Sequence, residues 1–114
     1  MRMEVQIAGH IEEFKSICKE HKVEHLYAFG SSISDRFDEK TSDIDILVKL
    51  STSHPLEKGE LLLSQWDTLE GFFDRKADLL TEQSIKKPVL RKSIEQSKQL
   101  IYDRTAEKVF AEIP

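Results

Sequence analysis

Basic residues in excess are the first thing this sequence lacks. Lys and Arg number 17 against 21 Asp and Glu, giving a net charge of −4 and a pI near 5.6. A protein that follows a polynucleotide backbone needs the opposite balance, so no nucleic-acid partner is expected. Cysteine is nearly absent. A single thiol, Cys18, cannot build an internal disulfide framework, which fits a reducing compartment. No apolar run approaches the ~18 residues that a membrane span requires. The opening MRMEVQIAGHIEEF meets acidic residues too early for a secretory signal, so a cytoplasmic protein with no membrane partner is expected. No repeat, low-complexity tract or linker divides the 114 residues, and a single domain over 1–114 is the expected organisation. A chain of this length buries about two-thirds of its unfolded surface and needs no structural metal to fold.

What is present is clear hydrophobic periodicity. Ile7, Ile11, Phe14 and Cys18 recur at helical spacing and predict an amphipathic helix from about Val5 to His21. VEHLYAF, residues 23–29, is rich in β-branched and aromatic residues and is stopped by Gly30, which predicts a strand. Residues 31–35 read as a helical turn or loop, and residues 37–42 as a polar loop. DIDILVKL, residues 43–50, reads as a central strand, and STSHP after it as a loop. Leu62, Trp66, Leu69 and Phe73 mark a second long helix, about Glu57 to Phe73. KADLLT, residues 76–81, reads as a short third strand. Pro88 sits where a further helix would begin, with Val89, Ile94 and Ser97 on it to about Gln96. Residues 99–102 read as an edge strand and Arg104 to Ala111 as a frayed terminal helix. The expected fold class is α/β or α+β, a small mixed sheet with helices packed on one face.

Three carboxylates stand out on this framework. Asp43 and Asp45 are two apart on one strand, so both side chains leave the same face. Ile44, Ile46 and Val48 leave the other face, which is then the one covered by helices. Adjacent acids repel unless a cation lies between them, and oxygen-only donors suit Mg²⁺ or Mn²⁺ rather than zinc. Asp78 is a third acid, set among Ala77, Leu79 and Leu80 in a strand of the same sheet. Gly30 and Ser31 close the first strand, where glycine admits a phosphate close to the backbone and the following N–H groups and the hydroxyl can cradle it. A phosphate cradle beside a metal-binding acid pair is the equipment of nucleotidyl or phosphoryl transfer.

FGSSISDRFDEKTSDIDILV resembles the signature of the DNA polymerase β-like nucleotidyltransferases: Gly-Ser, a loop, then Asp-x-Asp on a strand. ADLLT followed by SIKKPVLRKSIEQSKQLIYD resembles the continuation found in the minimal group of that superfamily, and the likeness runs from about Leu26 to Tyr102. The resemblance implies that Asp43 and Asp45 hold two Mg²⁺ ions, with Asp78 completing the site and helping to deprotonate or orient an attacking hydroxyl. It implies that Gly30 and Ser31 hold the β- and γ-phosphates of ATP, with pyrophosphate as the leaving group. Many members carry Arg-Gly after the Gly-Ser. Here Ser-Ile-Ser-Asp-Arg-Phe lacks the glycine, and Arg36 takes the place of that arginine.

Larger relatives carry a second, helical domain that binds the acceptor, and this chain is expected to lack one. The minimal group works mainly as half of a two-gene module whose other half is a small helical protein of the HEPN type. The resemblance therefore implies an antitoxin that transfers AMP to a hydroxyl of its helical partner. The competing expectation is a non-catalytic binding module that neutralises the partner by contact. Exposed sheet edges would also allow pairing with a second copy. His10, Cys18, His21 and His25 match no zinc spacing, so a buried thiol and surface histidines are expected. Lys86, Lys87, Arg91 and Lys92 form a basic cluster that reads as a solvated face or as a dock for a phosphate or an acidic partner. Leu47 shares the face of Asp43 and Asp45 and is expected to form an apolar rim open to solvent.

Overall fold

The computed structural model describes residues 7–29, 44–105 and 108–109. After a helical turn at residues 7–9, helix α1 (Ile11–Glu20) leads into strand β1 (Val23–Phe29). Strand β2 (Ile44–Leu50), helix α2 (Pro55–Phe73) and strand β3 (Ala77–Leu80) follow. A single 3₁₀ turn at Glu82–Ser84 precedes helix α3 (Pro88–Ser97), strand β4 (Gln99–Asp103) and strand β5 (Lys108–Val109). The strands form one mixed sheet in the order β3-β2-β1-β4-β5. Among the described strands only β2 and β3 run parallel, and α2 is the crossover that such a pair requires.

Alternation along the strands sorts the sheet into two faces. Leu26, Ala28, Ile44, Ile46, Val48, Ala77 and Leu79 point to one side and pack against Phe14, Ile17, Leu69 and Phe73 of α1 and α2. This is the helix-covered face that the apolar residues of β2 predicted. Phe14 of α1 lies 5.4 Å from Phe72 and 6.1 Å from Phe73 of α2 between ring centroids, which locks α1 onto α2. Aromatic pairs of this kind add about 0.5–1.5 kcal/mol each beyond their burial.

The opposite face departs from expectation. Leu47 is 2 % exposed and packs with Phe29, Ile85 and Ile94, with Tyr27 and Leu80 at the edge of the cluster. α3 folds back over this face and covers the position expected to stay open. Val89 and Ile94 lie on the expected helix but on opposite sides of it. Val89 lies 83 % exposed while Ile94 is buried.

Two C-terminal expectations are also corrected. β4 is not an edge strand, because it pairs with β1 on one side and β5 on the other. Residues 108–109 form a strand rather than helix. The Thr105 amide donates to the Asp103 carboxylate at 3.0 Å, a local turn that sends the chain back along β4. His21 is buried, not at the surface. Its ring bonds the Ile17 carbonyl at 2.7 Å and the Ser64 hydroxyl at 2.9 Å, tying the end of α1 to α2.

Candidate active site

Asp45 and Asp78 are direct register partners across the parallel β2–β3 pair. Neighbouring strands lie about 4.8 Å apart, and partners in register project to the same face. The two carboxylates therefore leave the sheet side by side, Asp45 half-buried and Asp78 exposed. On the other side of β2, Asp45 pairs with Phe29, the last residue of β1 before Gly30.

The register of the edge strand is held from both sides. The Ile44 amide donates to the Lys76 carbonyl at 3.0 Å, which sets where β2 meets β3. On the outer edge, the Ala77 amide donates to the Glu70 carboxylate at 2.8 Å and the Trp66 indole N–H donates to the Ala77 carbonyl at 2.6 Å. An edge residue would otherwise present both groups to water. α2 thus grips the backbone immediately before Asp78.

Both acids open into a cleft of about 390 Å³. Its floor is Phe29, Asp45, Asp78 and Leu80, and its wall is Leu90, Ser93, Ile94 and Ser97 of α3. Oxygen-only donors on adjacent strands, on the floor of a cleft open to solvent, fit a hard divalent cation. Among the described residues no group of three or more His, Cys, Asp or Glu that could hold a metal occurs, here or elsewhere. Asp43, Gly30, Ser31 and Arg36 lie outside the described residues. The structure thus brings together Asp45 and Asp78 of the expected set, and sets the end of β1 beside them.

The cleft wall was missed from sequence. Its signal was the spacing Leu90, Ser93, Ile94, Ser97, one stripe of a helix at intervals of three, one and three.

A mixed sheet with helical crossovers and acids paired on neighbouring strands beside a cleft is the architecture of the nucleotidyltransferase fold. The chain belongs to the family described as Polymerase beta, Nucleotidyltransferase, which it matches over residues 12–107. Two proteins of Methanocaldococcus jannaschii, both carrying the provisional name protein adenylyltransferase, are similar to it. One is 37% identical over 93 residues, covering 81% of this chain and 89% of its own. The other is 38% identical over 99 residues, covering 85% and 94%. Among solved structures, a toxin–antitoxin complex with AMP-PNP aligns at a TM-score of 0.60 and 19% identity, over 86% of this chain and 77% of that one. A minimal nucleotidyltransferase aligns at 0.56 and 24% identity, over 87% and 95%. At such identities these two show the shared fold. The chain is a nucleotidyltransferase.

Proposed function

We propose that this chain transfers AMP from ATP to a hydroxyl of a partner protein, as the antitoxin of a HEPN/MNT-type pair. The observation that carries the reading is the register pairing of Asp45 with Asp78 at the floor of the α3 cleft. The names of the similar archaeal proteins and the toxin–antitoxin setting of the fold's neighbours support it.

Asp43, Asp45 and Asp78 would hold two Mg²⁺ ions, which neutralise charge on the triphosphate and on the departing pyrophosphate. Asp78, more open than Asp45, takes the proton of the acceptor hydroxyl. Gly30 and Ser31 cradle the β- and γ-phosphates, and Arg36 balances their charge. The acceptor oxygen forms a bond to the α-phosphorus as the bond from that phosphorus to pyrophosphate breaks. Among the described residues the cleft is walled by α3 and opens to solvent, which suits a surface residue of another protein. No helix among the described residues is long and apolar enough to cross a membrane. With a lone, buried cysteine, we place the reaction in the cytoplasm.

The test is incubation with α-labelled ATP, Mg²⁺ and the product of the adjacent gene. Label is expected on the partner with the wild-type chain and none with D45N/D78N. If the double variant still neutralises the partner as fully as wild type, the contact-only reading replaces this one.

A further inference from the structure

The N-terminal half of α3 has a surface that the transfer chemistry leaves unused. Lys86, Lys87, Arg91 and Lys92 place four positive charges within seven residues and no negative one, in a chain whose net charge is −4. Lys86, Lys87 and Lys92 are exposed, and none pairs with a carboxylate among the described residues. Between them sit Val89 and Leu90, 83 % and 43 % exposed. Leu90 also lines the cleft that holds Asp45 and Asp78, so the patch runs continuously into the site. It is also rigidly mounted. The Arg91 guanidinium donates to the carbonyls of Glu82 and Ile85 at 2.9 and 3.0 Å, tying the helix to the segment that follows β3.

We propose that this basic and apolar face of α3 docks an acidic, aromatic-bearing segment of the polypeptide that receives the nucleotide. The inference rests on the protein-transfer reading above and names the chemistry of its acceptor. Complementary charge steers the segment toward a site whose own acids would otherwise repel it. The Val89–Leu90 pair gives an aromatic side chain a dry seat at the lip of the cleft. A triphosphate would use the lysines but leave that apolar pair in water, so a polypeptide accounts for more of the patch. The preformed anchor lowers the ordering cost of docking.

The probe is a fluorescent random copolymer of glutamate and tyrosine, followed by anisotropy, with a lysine–tyrosine copolymer as control. The wild-type chain should bind the acidic polymer, lose it as salt rises, and ignore the basic one. K86E/K87E/K92E and V89S/L90S should each weaken binding by ~10-fold or more, with circular dichroism unchanged, since all five side chains are exposed. Three results would overturn the proposal: no binding by the wild-type chain, equal binding by wild type and both variants, or a charge reversal that weakens a fluorescent ATP analogue instead of the polymer. Specific binding without any transfer of label from ATP sinks the transferase reading and leaves the docking surface standing.

Discussion

Asp78 is an exposed acid on a strand whose neighbours Ala77 and Leu79 are buried. Nothing in packing calls for it, so its removal separates chemistry from stability. Asp78→Asn should leave stability within about 0.5 kcal/mol and lower transfer by ~10²–10⁴-fold, read by thermal unfolding and label transfer on the same preparation. Gln65 is the converse case. It is fully buried, and neither polar atom of its amide has a hydrogen-bond partner among the described residues. A buried amide without partners costs about 1–3 kcal/mol, so Gln65→Met should raise the unfolding temperature by an amount of that order. A fall would mean that the amide has a role in the native state. Burial also pushes the Cys18 thiol above its ordinary range, which keeps it protonated and unreactive at neutral pH. A thiol reagent should modify it only as fast as the protein unfolds; stoichiometric labelling within seconds in native buffer would contradict this.

At the scale of elements, the edge strand β3 decides whether the acids meet. Trp66 and Glu70, one turn apart on α2, bond both backbone groups of Ala77. Removing one leaves a part-buried polar group unsatisfied, at about 1–3 kcal/mol. W66F and E70A should each speed hydrogen exchange at residues 77–80 and reduce transfer by up to ~100-fold through misplacement of Asp78. Unchanged exchange would show that β2 alone holds the strand. The elements themselves were largely legible. Val23–Phe29 and Ile44–Leu50 are compact runs with clear alternation, and Leu62 to Phe73 carries a full helical stripe. What sequence hid was non-local. Whether residues 99–103 form an edge depends on a two-residue strand that has no pattern of its own. Whether Leu47 meets solvent depends on which way α3 folds back. Leu47→Ala should therefore cost about 2–5 kcal/mol, the loss expected of a core leucine rather than a rim residue.

The whole molecule separates two tasks onto two faces of one thin sheet. Among the described residues, α1 and α2 bury the larger core on one side, and the other carries Asp45 and Asp78 under α3. The acid pair was legible because period-two alternation sets side chains by parity, and Asp78 was conspicuous inside an apolar strand. The cleft wall was not, since it depends on the rotation of α3 about its own axis. The central claim is that these acids act together as divalent-cation ligands in the presence of nucleotide. It is tested most directly by electron paramagnetic resonance of Mn²⁺ titrated into the chain with a non-hydrolysable ATP analogue. The account predicts tight, protein-bound Mn²⁺ in the wild type, weakened by ~10-fold or more in both Asp45→Asn and Asp78→Asn. Binding that is the same in all three proteins would contradict it.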